Sequence, residues 1–230
     1  MGGLRGEYTN REIINSDVST NYSLQRFDLF PTLHLSYSIK ETNELMASYS
    51  RRINRPRGGD LDPVPSYRNR YSIRIGNPEL EPEYTNSYEL GYMKRFGESY
   101  FSFETFRRVT DNKISRIETL GEDGIYYQTV DNFNKDYSTG VEAMGNMSFT
   151  KWLLVNASVT VFKYRLTGEI NDESIDREST NWSSRMNTTF KFSSNSRMQI
   201  MGNYRAPSIS AQGESKAMFF TNISYRHDLL

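Results

Sequence analysis

From Leu29 to Lys40 the chain alternates without a break. Leu29, Pro31, Leu33, Leu35, Tyr37 and Ile39 fall on one side, and Thr32, His34, Ser36, Ser38 and Lys40 on the other. Successive side chains of an extended strand point to opposite faces, so this stretch is a strand with one apolar and one polar surface, and a helical period does not fit it. The pattern recurs. Leu45, Ala47 and Tyr49 alternate with Met46, Ser48 and Ser50 as far as Arg52, which makes a hairpin with the first segment through a turn at Lys40 to Asn43. Tyr84, Tyr88, Leu90 and Tyr92 oppose Thr85, Ser87, Glu89 and Gly91, and Phe101 and Phe103 oppose Ser102 and Glu104 within a strand from Tyr100 to Arg108. Tyr137 to Phe149 continues the series, Leu153 to Val161 carries the cleanest apolar face, and Trp182 to Phe192, Met198 to Tyr204 and Ala217 to Arg226 complete it. A shorter alternating segment, Gly3 to Thr9, precedes them all.

The connectors sort by length. Tight turns follow Ile39, Phe96, Phe149 and Phe192, whereas long polar stretches are expected over Asn10 to Gln25, Arg55 to Glu83 and Leu166 to Asn181. Lys113 to Thr119 and Ile125 to Asp131 read as a separate extruded hairpin around Gly121-Glu122-Asp123-Gly124. About ten strands with short turns at one end and long loops at the other is the connectivity of an outer-membrane barrel. Composition agrees. Only 36% of residues are hydrophobic, yet 13% are aromatic, with 16 Tyr and 13 Phe. A packed core needs more apolar residues, whereas a membrane barrel needs them only at every second position and adds aromatic girdles at the interfaces. The fold class is therefore all-β, an antiparallel up-and-down transmembrane β-barrel whose strands form a curved partial wall over residues 1–230 as one domain. A soluble sheet is the competing architecture, and it requires protein to cover Leu153, Val155, Val159 and Val161.

No apolar run is long enough for a membrane-spanning helix, and the amino terminus lacks the basic, apolar and small-residue regions of a signal peptide. Twenty-eight basic and 28 acidic residues cancel, which argues against nucleic acid as a partner, and the lack of Cys removes disulfides and thiolate metal sites. His34 and His227 are the only imidazoles, and neither a metalloprotease HExxH nor a GxSxG nucleophile motif occurs, so no enzyme activity, catalytic residue, metal or cofactor is expected. The acids Asp60, Asp62, Glu79, Glu81, Glu83, Asp111 and Asp123 do not have calcium-loop spacing and read as solvated loop charges.

Chemistry is expected in two places. Arg5, Arg52, Glu89, Glu104, Glu142, Arg185, Asn187, Lys191 and Arg205 fall on polar faces, where they would line a wet lumen, contact a plug or form a substrate path; simple solvation of a barrel interior accounts for them as well. Tyr67, Tyr71, Tyr126 and Tyr127 lie in or beside long connectors, where flat rings could stack on a ligand, while Trp182 suits an interface girdle.

Arg51-Arg52-Ile53-Asn54-Arg55-Pro56, followed by the stretch from Ile75-Gly76-Asn77-Pro78-Glu79-Leu80-Glu81-Pro82-Glu83-Tyr84 to Tyr92, resembles the barrel of TonB-dependent outer-membrane receptors, and more narrowly the outer membrane protein beta-barrel family of Gram-negative bacteria. Leu29-Phe30-Pro31-Thr32-Leu33 and Ile223-Ser224-Tyr225-Arg226 are similar to the same family. The resemblance implies a barrel of about 22 strands with an internal plug, energised by the inner-membrane TonB complex for uptake of a nutrient. It implies that this chain is a partial wall lacking plug, signal peptide and closing strands, with outer-membrane lipid, the plug, the rest of the barrel and the TonB complex as partners. A complete, self-closed small barrel acting as an enzyme or adhesin is the alternative, and it requires Leu4 to Tyr8 to pair with Phe219 to Tyr225.

Overall fold

Each alternating segment hydrogen-bonds to its neighbour in sequence, which builds one antiparallel sheet. The computed structural model describes residues 1–15, 20–170, 173–210 and 212–228. The elements are β1 (Gly2–Asn15), β2 (Thr20–Ile39), β3 (Asn43–Asn54), α1 (Gly58–Leu61), β4 (Ser66–Asn69), β5 (Ser72–Arg74), β6 (Glu83–Phe96), β7 (Ser99–Leu120), β8 (Tyr126–Ser148), β9 (Leu153–Ile170), β10 (Glu173–Lys191), β11 (Ser196–Arg205), β12 (Ser208–Ile209), β13 (Glu214–Ser215) and β14 (Met218–His227). Ten of these make the wall, in the order β1-β2-β3-β6-β7-β8-β9-β10-β11-β14. No described helix is long and apolar enough to cross a membrane.

The wall is open. Leu4 to Tyr8 pair with Phe27 to Pro31 of β2, Phe219 to Tyr225 pair with Met198 to Tyr204 of β11, and the two end strands do not pair with each other. The pairing on which the self-closed alternative depends is thus absent among the described residues. The soluble-sheet alternative fares no better. Val159 and Val161 are exposed, and so are Leu35, Leu90, Phe103, Val141, Met186 and Ile223 along the same face. The aromatic pair Trp152 and Phe190, with ring centroids 6.3 Å apart, lies at the short-turn end of this apolar band, and Trp182 against Tyr204, at 4.4 Å, lies toward the other end.

Above the band the strands continue, contrary to the loops expected there. β1 and β2 pair from Gly2↔Leu33 to Asn15↔Thr20, so most of Asn10 to Gln25 is strand, with residues 16–19 outside the description. β9 and β10 likewise pair as far as Ile170↔Glu173, replacing the loop expected over Leu166 to Asn181; residues 171–172 lie outside the description. The expected hairpin at Lys113 to Asp131 is not a separate unit but the upper part of β7 and β8, which pair from Tyr100↔Asn146 to Leu120↔Tyr126. These extensions are mostly polar, apart from small apolar clusters such as that of Ile117, Phe133 and Leu166, so hydropathic alternation does not mark them. Ion pairs link their side chains instead: Lys163 to Glu178 at 2.7 Å, Arg165 to Asp176 at 2.6 Å and Lys135 to Asp111 at 3.2 Å.

The stretch between β3 and β6 folds back onto the upper wall. Leu80 is completely buried, in a cluster with Leu61 of α1 and Val130 of β8, against Ile13 and Ile114. Gly76 is required by close approach, since a Cβ there would stand 2.5 Å from the Asp62 carbonyl. Polar contacts tie the segment to the surrounding strands. Arg11 of β1 donates to the carbonyls of Pro78 and Leu80 at 3.1 and 2.9 Å, and the Glu81 N–H donates to Asn132 of β8 at 2.8 Å. The Asn132 side chain donates in return to the Glu81 carbonyl and to that of Asn112. Glu83 accepts from the Ile114 N–H at 2.8 Å and from Asn54 at 2.7 Å, and pairs with Lys113 at 3.0 Å.

Tyr84 departs from its expected place on the apolar face. It is buried, donates its hydroxyl to Asp28 at 2.9 Å, and lies under the guanidinium groups of Arg26 and Arg51. The reason is that β2 and β3 stop pairing beyond Thr32↔Ser50, and the ring occupies the space this opens. Only from Tyr88 onward does β6 present its ring and Leu90 to the outside.

Replacing Leu80 with Ala removes the most deeply buried side chain between loop and wall. It is expected to destabilise the packed segment by about 2–5 kcal/mol and to make residues 55–82 a site of rapid cleavage in limited proteolysis, with strands β7 to β9 remaining resistant.

Candidate functional site

The ladder registers carry the polar side chains into rows across the wall. One row runs Met46, Gly91, Glu104, Glu142, Thr160, Ser183 and Arg205 through β3, β6, β7, β8, β9, β10 and β11. The next row toward the short turns runs Ser102, Met144, Ser158, Arg185 and Asn203. Asn187 stands one row further on, opposite Asn156, while Glu89 and Arg52 lie in rows nearer the long loops, opposite Ser48 and Thr85. Arg5, opposite Phe30, and Lys191, opposite Arg197, complete the nine expected residues, all on the polar face, where an acidic and a basic set stand apart.

On β6 to β8 the set is acidic. Glu89 accepts from Ser48 at 2.8 Å and from Ser87 at 3.0 Å, with Arg108 at 3.5 Å. Glu104 and Glu142 are direct cross-strand partners, an arrangement of like charges that costs stability unless a cation answers it. Glu142 accepts from Thr160 at 3.1 Å, and Glu104 has no hydrogen-bond or ion-pair partner among the described residues. No group of three or more metal-ligating side chains gathers there or elsewhere among the described residues. On β10 and β11 the set is basic. Arg185 donates through Nε to Asn203 at 2.8 Å, and neither Arg185 nor Arg205 meets a carboxylate among the described residues. Arg52 is exposed near the rim, apart from both sets.

Between the sets the wall is pinched. A Cβ on Gly140 would lie 2.4 Å from that of Phe162, and the rings of Phe106 and Phe162 flank this glycine 6.3 Å apart. Phe106 is buried beneath the Arg108 guanidinium, 4.3 Å from its ring centre. Neither this aromatic floor nor Arg108 and Asn203 was expected from sequence, because only the cross-strand register reveals which neighbours they touch.

The four tyrosines meet through an unexpected strand addition. β5 joins β8 in parallel, Ser72 opposite Tyr126 and Ile73 opposite Tyr127, while β4 pairs with β5 so that Tyr67 stands opposite Ile73. Tyr67, Ile73 and Tyr127 thus share one face of a three-stranded patch, and Tyr126, at the adjacent position, points to the other. The Tyr126 N–H donates to the Tyr71 carbonyl at 2.9 Å. Tyr67 and Tyr71 are largely exposed, and Arg70 lies over the Tyr71 ring.

The turn beside this patch holds a carboxylate. Asp123 accepts from the Ile125 N–H at 3.0 Å and from the Tyr127 hydroxyl at 2.9 Å, and these bonds, the backbone one foremost, hold its carboxyl below the ordinary value of 3.8. The same bond raises the Tyr127 hydroxyl above its ordinary 10.0. Gly124, at φ 75°, supplies the left-handed backbone that the turn needs.

The family model described as "Outer membrane protein beta-barrel family" matches residues 1–230. Among solved structures the chain is similar over its whole length to "Copper transporter OprC", with 11% identity and a TM-score of 0.69, and covers 37% of that chain. The siderophore receptor PiuA from Acinetobacter baumannii gives 13% identity, a TM-score of 0.69, and coverage of 100% of this chain and 34% of that one. The siderophore receptor PirA from Pseudomonas aeruginosa gives 16% identity and a TM-score of 0.51, with 97% and 45% covered. At these identities the likeness is one of fold, and the chain spans less than half the length of each. No match is found among curated protein sequences.

The Asp123 turn gives a pH prediction. Its carboxylate contribution is complete above the ordinary 3.8 and lost as pH falls through the lowered value; the Tyr127 contribution is complete below 10.0 and lost as pH rises through the raised one. The protection factor of the Ile125 amide, its exchange rate corrected for the intrinsic pH dependence, is expected to be highest between these limits, and Tyr127→Phe should abolish the alkaline limb while leaving the acid limb in place.

Proposed function

This chain belongs to the outer membrane protein beta-barrel family and is a wall of the outer membrane, and we propose that it forms part of the barrel of a TonB-dependent receptor that imports a nutrient too large or too scarce for porins. The observation that carries this reading is the open ten-strand wall, whose end strands β1 and β14 do not pair with each other. Unpaired strand edges are intolerable in lipid, so further strands are needed to complete the ladder. The partial coverage of receptors that the chain matches along its full length supports the same conclusion.

In this reading the apolar face, with Leu35, Leu90, Val159 and Ile223, meets outer-membrane lipid, and the polar face lines the lumen. Glu89, Glu104, Glu142, Arg185, Asn187 and Arg205 are then the surface against which a plug domain seats and past which the solute moves. Glu104, facing Glu142 with no ion-pair partner among the described residues, is the position at which a basic group of the plug is most needed. Arg52 stands toward the mouth, and Tyr67, Tyr71 and Tyr127 form the outer patch on which the solute first rests, with Tyr126 on the opposite face of the same strands. The names of the relatives suggest a chelated metal as cargo, copper or ferric siderophore, because both are scarce solutes that repay active import.

The test is uptake by the complete gene product in cells that lack other receptors, with radiolabelled siderophore-bound iron and copper offered separately. Import is expected to stop when the inner-membrane TonB complex is disabled; import that continues at the full rate would overturn the reading. Tyr67→Ala combined with Tyr127→Ala is expected to raise the half-saturating concentration roughly 3- to 10-fold, the worth of one lost stacking contact, with the maximal rate little changed.

A further inference from the structure

A cavity of about 310 Å³ opens on the polar face of β9 to β14, and among the residues lining it are Ser158, Thr160, Ser183, Arg185, Asn203 and Arg205. We propose that it is an oxyanion site, which takes the carboxylate or phosphate of a partner group between Arg185 and Arg205. The proposal rests on the reading of this face as the barrel interior.

Three observations carry it. First, the lining supplies two guanidinium groups, one carboxamide and hydroxyls, and no carboxylate. The nearest acid in the same row, Glu142, is separated from Arg205 by Thr160 and Ser183. At the usual strand spacing that places their backbones about 14 Å apart, and the Glu142 carboxylate already accepts from Thr160. The two arginines are therefore charged groups without a counter-ion among the described residues.

Second, the arginines converge. Arg205 is opposite Ser183 and Arg185 is opposite Asn203, so the two are diagonal cross-strand neighbours, roughly 7–8 Å apart at the backbone. Long side chains bridge that distance, and both can reach one oxyanion. Arg185 is also pre-oriented, since its Nε is held by the Asn203 carbonyl oxygen at 2.8 Å while its terminal nitrogens remain free for the bidentate geometry that carboxylates and phosphates accept.

Third, the Asn203 amide nitrogen is buried without a hydrogen-bond partner. An unsatisfied buried donor beside two unpaired cations calls for an acceptor, and a single oxyanion would serve all three groups. The volume suits a charged head group rather than an entire chelate. Its source is either an acidic side chain of a segment folded within the barrel or an anionic group of a passing solute.

The experiment uses the complete gene product folded in detergent micelles, with inorganic phosphate and acetate as probes. Calorimetric affinity and thermal stability are measured for the wild type, for Arg185→Gln with Arg205→Gln, and for the conservative Arg185→Lys with Arg205→Lys. If solute anions use the site, phosphate affinity is expected to fall at least tenfold in the Gln pair, with partial recovery in the Lys pair and unchanged melting. If an internal carboxylate occupies it, the probes bind neither protein and the Gln pair melts lower, again with recovery by Lys. Unchanged affinity together with unchanged melting overturns the proposal. A Gln pair that does not fold leaves the Lys pair to decide: equality with wild type in both measurements would overturn the proposal, whereas a partial loss in either supports it. Both readouts are independent of TonB, so failure here with TonB-dependent uptake intact would remove the oxyanion site alone.

Discussion

The backbone of a membrane-spanning strand has no water to bond to, so every N–H and C=O in the hydrocarbon must find a partner on an adjacent strand. The rest of this structure depends on that requirement. It explains why the ladders run unbroken from β1 through β14, with every wall strand paired to its sequence neighbour in the wall. It also fixes what the two faces can be, because once the ladder is satisfied the side chains alone decide what the surface meets. Exposed Leu, Val and Phe then suit lipid on one face, while Ser, Asn, Glu and Arg suit water on the other.

The same ladder organises the chemistry. A register row brings residues far apart in sequence into line, so that Glu104, Glu142 and Arg205 stand on one row with Thr160 and Ser183 between acid and base. Side chains on a β-wall stay at the positions that the ladder register gives them. Opposite charges placed several strands apart therefore stay apart, and the polar face keeps an acidic and a basic region. A wall polarised in this way is incomplete electrostatically as well as at its edges, which is the physical ground for expecting counter-charges from whatever occupies the interior.

The membrane-level strands were legible in the sequence because alternation is forced there by two different solvents. Leu29 to Ile39 and Leu153 to Val161 stand where that pattern placed them. Above the lipid the apolar residues are few and gather in small clusters such as Phe133 with Leu166, so the alternation disappears and the upper parts of β1, β2, β9 and β10 read as loops although their backbones pair fully. Polar side chains on the wall could be assigned to a face by parity, but not to neighbours, since register across strands is not written in any one of them. That is why Arg185 could be set on the polar face while its bond to Asn203 could not be read. The tyrosine patch was hidden for a related reason, as a parallel pairing between Ser72 and Tyr126 joins segments with no local signal of contact.

The stretch from Ile75 to Tyr92 joins these levels. Its Pro and Gly residues prevent ladder pairing in the first half, and that freedom lets Leu80 turn into the upper cluster while Glu81 and Glu83 reach Asn132 and Ile114. Its second half enters the ladder at Glu83 and becomes wall. The Glu81 carboxylate is thus taken up by Arg26 and Asn112, and that of Glu83 by the Ile114 N–H, Asn54 and Lys113, which makes the segment a clasp across β1, β2, β7 and β8. Because β5 follows directly into this clasp, the position of Ile73 between Tyr67 and Tyr127 depends on it. The outer tyrosine patch therefore inherits its geometry from the clasp, which couples what happens at Leu80 to the face that the tyrosines present.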